Sequence, residues 1–124
     1  MFRHIFSFVT LFLISPILQS SQMCFETKTC AESSLEHRSF VDSDCNKVQN
    51  NAQDSCAGKS IELRGYVDPD CLKLISGQKC SISSLEVSRF IDPDCLKITN
   101  ERQDRCASAS ILQKKYVDPD CLKL

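Results

Sequence analysis

CAGKSIELRGYVDPDC, residues 56–71, carries two cysteines 15 positions apart, and the chain repeats that frame three more times. The other copies are CAESSLEHRSFVDSDC (30–45), CSISSLEVSRFIDPDC (80–95) and CASASILQKKYVDPDC (106–121). Each reads Cys, three variable residues, Ser, then Leu or Ile, four variable residues, Phe or Tyr, Val or Ile, and Asp-Pro-Asp-Cys. Only the first departs, with Ser43 in place of proline. A lysine and an aliphatic residue close each unit: Lys47-Val48, Lys73-Leu74, Lys97-Ile98 and Lys123-Leu124. Such self-similarity marks tandem units, each too small to bury a face alone. A shift of 50 residues lays 30–74 on 80–124 without a gap, identical at 26 of 45 positions. A two-unit module has therefore been duplicated, giving cysteine-rich module A at 30–74 and module B at 80–124. Residues 23–29 form an N-terminal lead with an extra cysteine.

Each 19-residue unit offers about five large apolar side chains, for example Leu85, Phe90, Ile91, Leu96 and Ile98. Fixing one residue's backbone costs roughly 1–2 kcal/mol, so five such side chains cannot order a unit. A disulfide closing a loop of about 15 residues contributes roughly 3 kcal/mol in the chain-entropy model. We expect pairing within units: Cys30–Cys45, Cys56–Cys71, Cys80–Cys95 and Cys106–Cys121. A rival pattern joins the two units of a module, and spacing does not decide between the two.

Asp-Pro-Asp-Cys reads as a type I turn, with proline presetting φ and the first aspartate bonding back to the chain. Tyr66-Val67 before it and Cys71–Leu74 after it favour short strands, with Lys73 outward and Leu72 and Leu74 inward. The expected fold is a small disulfide-rich protein of tandem cysteine repeats with short β-hairpins and turns. The alternative is short disulfide-linked helices: the first aspartate is an N-cap, proline is N1, and a helix runs through Leu96 and Ile98 toward Cys106. Phe40, Tyr66, Phe90 and Tyr116 share one position in the unit and read as a repeated core contact.

Residues 1–22, MFRHIFSFVTLFLISPILQSSQ, have the order of a secretory signal peptide: basic start, apolar run, then small polar residues. The uncharged run at 5–14 is far shorter than the roughly 20 residues a bilayer span needs. No later segment reads as a span, and the chain's end, Asp-Cys-Leu-Lys-Leu, has no hydrophobic tail for a lipid anchor. All nine cysteines fall in the remaining 102 residues, a density typical of secreted disulfide scaffolds. The expected location is extracellular. Losing Arg3 leaves 14 basic against 16 acidic residues, moving the net charge from −1 to −2. Near neutrality without a basic cluster gives no electrostatic reason to expect nucleic acid or an anionic membrane as partner. The pair Lys114-Lys115 lies inside the fourth unit rather than a linker, which argues against cleavage into separate peptides.

Eight of the ten aspartates stand in Asp-x-Asp pairs, so a hard cation must be weighed: Asp42/Asp44, Asp68/Asp70, Asp92/Asp94 and Asp118/Asp120. Asp42-Ser-Asp44-Cys-Asn46 resembles the opening of an EF-hand loop, but Lys47 stands at the glycine position and Gln53 at the closing glutamate. Turn and cap duty accounts for these aspartates. No Cys-x-x-Cys occurs, and the lead and units hold a single histidine, His37, so structural zinc, nucleophilic and redox catalysis all lack parts. No enzyme activity and no cofactor are expected. Cys24 is left over once eight cysteines pair, which suggests an intermolecular bridge, and hence a disulfide-linked homodimer, or a reactive thiol; a bond to Cys30 is the alternative.

No motif names a family. The expected function is a secreted, non-enzymatic, disulfide-rich repeat protein acting by recognition of an extracellular protein or surface. The variable stretches 36–39, 62–65, 86–89 and 112–115 are its candidate binding face. The alternatives are a structural or matrix protein crosslinked through Cys24, and a calcium-organised module using the Asp-x-Asp turns.

Overall fold

Helix-capping signals sit at the head of three of the four units. Thr29 accepts from the Glu32 amide, and the Glu32 carboxylate accepts from the Thr29 amide, which is a complete capping box. Asn50 and Asn100 cap in the same way, each accepting from the amide of a glutamine three residues on. A computed structural model of the chain describes residues 28–124. It contains four α-helices: α1 (Cys30–Arg38), α2 (Asn51–Arg64), α3 (Gln78–Ser88) and α4 (Glu101–Lys114). Each is followed by a five-residue 3₁₀ turn, at Ser43–Lys47, Pro69–Lys73, Pro93–Lys97 and Pro119–Lys123.

Among the described residues there is no β-strand, so the expected hairpins are replaced by the helical alternative. The aspartate before each 3₁₀ turn is its N-cap, accepting from the amide two residues on at 2.9 Å. Proline occupies the first turn in three of the four, where its missing N–H costs nothing. The long helix through Leu96 and Ile98 does not form. The third 3₁₀ turn stops at Lys97, Ile98 is extended, and α4 starts afresh beyond Asn100. Leu74 is buried and Lys73 exposed, as a hairpin would have had them, but through a 3₁₀ turn.

Four disulfides cross-link helix to turn: Cys30–Cys45, Cys56–Cys71, Cys80–Cys95 and Cys106–Cys121, with Cα–Cα distances of 5.6, 5.3, 5.5 and 5.4 Å respectively. Beside three of them a buried serine completes the link. Ser60 Oγ donates to the Tyr66 carbonyl at 2.7 Å and accepts from the Asp68 amide at 2.8 Å; Ser110 repeats both bonds with Tyr116 and Asp118. Ser34 accepts from the Asp42 amide at 3.1 Å.

Like ends of the helices meet. The Cys30 amide donates to Asp54 Oδ1 at 2.9 Å near the N-termini of α1 and α2, and Cys80 does the same with Asp104 at 2.8 Å for α3 and α4. At the C-terminal ends the Arg38 guanidinium donates to the Gly65 carbonyl, and Arg89 reaches the Leu63 carbonyl at 3.3 Å. The helices therefore run parallel, each packed on its neighbours in sequence, in a short solenoid. Their contact surfaces use small residues: Cys56, Ala57, Gly58 and Ser60 are all buried in α2.

Ser33 Oγ is buried without a hydrogen-bond partner among the described residues. The equivalent Ser83 bonds Ser108 at 2.7 Å, but Gly58 stands where α4 has Ser108. Because an unpaired buried hydroxyl carries its desolvation cost of roughly 1–3 kcal/mol, Ser33→Ala is expected to raise the unfolding free energy by about 1 kcal/mol. Chemical denaturation of the oxidised protein checks this, and a loss of stability would contradict it.

The segment 1–22, read as a signal peptide, and Cys24 lie outside the described residues, as does most of the 23–29 lead. No helix among the described residues is long and apolar enough to cross a membrane.

Candidate functional site

Each helix ends on a residue in the left-handed region: Ser39, Gly65, Arg89 and Lys115, at φ values of 70°, 85°, 69° and 75°. Its amide donates back to the Leu or Ile four residues earlier, closing the helix. The reversal aims the next residues to opposite sides. The aliphatic one goes inward, so that Val67, Ile91 and Val117 are buried. The aromatic one goes outward. Phe40, Tyr66, Phe90 and Tyr116 are 58%, 44%, 57% and 53% exposed, which corrects the reading of these four as core. Helices in direct contact lie roughly 8–10 Å apart, so the rings recur at about that interval along the C-terminal edge of the stack.

Cations attend three of the rings. The Arg64 guanidinium lies 4.5 Å from the Tyr66 ring centroid and also bonds the tyrosine hydroxyl; Arg38 lies 5.7 Å from Phe40 and Lys114 5.9 Å from Tyr116. Each cation is held by the N-cap aspartate four residues on: Arg38–Asp42 at 2.9 Å, Arg64–Asp68 at 2.7 Å and Lys114–Asp118 at 2.9 Å. The Lys114 hydrogen bond pulls the Asp118 carboxyl below its ordinary value, helped by the Asp120 amide, and the same bond pushes the Lys114 ammonium up. The arrangement fixes the cation over its ring and complements the negative ends of α1, α2 and α4. The third unit differs: Ser88 replaces the cation, and Asp92 instead accepts from the Val117 amide at 3.2 Å.

The variable stretches 36–39, 62–65, 86–89 and 112–115 form the last turns of the four helices and their caps, beside the rings. Most of these residues are exposed, including Glu36, Glu62, Val87 and Leu112. Between α3 and α4 an open groove of about 490 Å³ is lined by Ile82, Glu86 and Leu112 among others.

The eight paired aspartates divide their duties. Asp42, Asp68, Asp92 and Asp118 cap their turns, while Asp44, Asp70, Asp94 and Asp120 pair with Lys47, Lys73, Lys97 and Lys123 at 3.1 to 3.3 Å. Among the described residues no three or more His, Cys, Asp or Glu converge in a metal-binding group. His37 is an exposed residue in the last turn of α1. The ring-and-cation pairs escaped the sequence reading, although a signal was there. Arg38-Ser-Phe40, Arg64-Gly-Tyr66 and Lys114-Lys-Tyr116 each place a basic residue two before the aromatic, on the exposed side of a helix end. No family model, curated protein or solved structure matches the chain.

Proposed function

We propose that this disulfide-rich protein is exported and acts without catalysis, by recognising an extracellular protein or surface through the C-terminal edge of its helical stack. The observation that carries this reading is the exposure of all four equivalent aromatic residues on that edge. Large aromatic side chains are the preferred anchors of binding surfaces, since they bury much area with few rotatable bonds. The stack holds the rings at fixed intervals, and the neighbouring variable residues differ from unit to unit. Such a design separates a constant frame from changeable contacts. Cysteine density and the leader-like segment 1–22 support export.

The test compares wild-type protein with a variant carrying Phe40→Ala, Tyr66→Ala, Phe90→Ala and Tyr116→Ala. Because each ring is about half exposed or more, the variant should keep its circular dichroism spectrum and four disulfides. Immobilised wild type is expected to retain specific components of extracellular fluid that the variant releases. A control altered on the opposite edge, Asn51→Ala with Glu101→Ala, should retain the same components. Equal retention by the aromatic variant would remove the edge from the function.

A further inference from the structure

The two ends of the stack are unequal versions of a contact that the chain already makes once internally. In every unit except the first, the residues facing the preceding unit are sealed. Leu85 and Ile91 of the third are 0% and 3% exposed, whereas their counterparts Leu35 and Val41 stand open at 52% and 41%. Ala31 is exposed where Ala57, Ser81 and Ala107 are buried, and Cys45 and Val48 are half-buried where Cys95 and Ile98 are sealed. The first unit thus presents laid bare the surface that the third unit buries against α2. At the other end, α4 offers the side by which α2 seats α3. Ala109 is exposed and Cys106 half-buried, beside a shallow depression of about 220 Å³ lined also by Ser110, Gln113 and Cys121.

We propose that this end of one copy receives the first unit of a second copy, so that the solenoid continues head to tail. The occupant is a second copy because the α2–α3 contact already shows the same two module ends to be complementary. The charges have changed in step. The bonds specific to the internal contact, Lys59–Glu86 at 3.3 Å and Arg89 to the Leu63 carbonyl, cannot recur, since Ala109 replaces Lys59 and Ser39 replaces Arg89. Instead Arg102 and Arg105 stand on α4 where α2 has Ala52 and Ser55, and Glu32 joins Glu36 on α1 where α3 has Ile82 and Glu86. Basic residues on one end therefore meet acidic ones on the other. In the free chain these charges are held locally and at the surface: Arg105 by Glu101 at 3.0 Å, Glu36 by Lys28 at 2.8 Å, and Glu32 in the capping box. Lys28 is a like charge for Arg105, and docking requires its pair with Glu36 to open. Such a contact uses different surfaces on the two partners, so it propagates unless the rotation happens to close a ring. The contact adjoins the aromatic edge at both ends of the stack, since Glu36 lies in the variable stretch 36–39 and the depression is also lined by Lys114 and Asp118 beside Tyr116.

The test is sedimentation velocity of the exported, oxidised protein with Cys24→Ser, which removes any covalent route to dimers. The weight-average sedimentation coefficient is expected to rise with concentration and to fall when salt is added. Leu35→Arg, at an exposed position that leaves the monomer intact, should restore a monomer at every concentration. Arg105→Glu should weaken association, and mixing that variant with Glu36→Arg should recover it. A monomer throughout the accessible range overturns the proposal, as does association indifferent to both Leu35→Arg and Arg105→Glu. If deleting residues 23–27 converts a monomer into assemblies, the chain's own lead covers the face, and the proposal fails as well.

Discussion

Replacing Cys80 and Cys95 together by alanine is expected to cost about 3 kcal/mol of unfolding free energy, the entropy of closing a loop of about 15 residues. The lost packing of two sealed sulfurs adds to that, since both cysteines are at most 1% exposed. This unit lies inside the stack, with α2 on one side and α4 on the other, so its loosening separates module A from α4. The equivalent change at Cys106 and Cys121 closes the same length of loop but touches a terminal unit, where Cys106 is half-buried. The interior pair should therefore cost more. Denaturant titration with the other three bonds intact measures both losses, and full reduction should unfold the chain. A loss below about 1 kcal/mol at the interior pair would mean that packing, not crosslinking, holds the helix to its turn.

Gly58→Ala is the second large effect, and its sign runs against local propensity. Alanine is the better helix former by roughly 1 kcal/mol. A Cβ at position 58, however, falls 2.1 Å from the Lys28 carbonyl oxygen and 3.0 Å from that of Thr29. Both are backbone atoms, so no side-chain rotation relieves the contact. The N-terminus of α1 must retreat, which strains the Thr29–Glu32 capping box and the Cys30 amide bond to Asp54. Overpacking of this kind costs roughly 1–3 kcal/mol, and contact with unyielding backbone puts this case at the upper end. The net result should be a loss of about 2 kcal/mol. The counterpart Ser108 carries a Cβ and bonds Ser83, so α3 and α4 leave room that α1 and α2 do not. Ser108→Gly should accordingly bring no relief of strain. Thermal unfolding of both variants reads the comparison, and a Gly58→Ala protein more stable than wild type would show that α1 sits farther away.

The choice between hairpin and helix turned on what counts as a core residue. Leu35, Phe40 and Val41, large apolar residues of the first unit, follow no single period because the helix ends at Arg38, before two of them. The helical stripe becomes visible once small residues are included. Cys56, Ala57, Ser60 and Ile61 fall at i, i+1, i+4 and i+5, and all four are buried. Parallel helices in close contact bury serine and alanine beside leucine, with the Ser60 and Ser110 hydroxyls bonded to the following turn and Ser33 the exception. The Asp-Pro-Asp signature was open to two readings, and the N-cap reading prevailed locally, for a 3₁₀ turn rather than a long helix.

Composition and spacing were sufficient to establish a disulfide-rich chain, because cysteine density and a recurring frame are one-dimensional properties. Which way an apolar residue faces is not. Tyr66 and Val67, or Phe90 and Ile91, are adjacent and both apolar, and nothing in their order assigns one to solvent. The left-handed residue that closes each helix makes that assignment, reversing the chain so that Val67, Ile91 and Val117 are buried while the rings stay exposed. Only the assembled stack exposes the four rings on one edge and leaves Leu35 bare where Leu85 is sealed, since both facts depend on which neighbour each unit has.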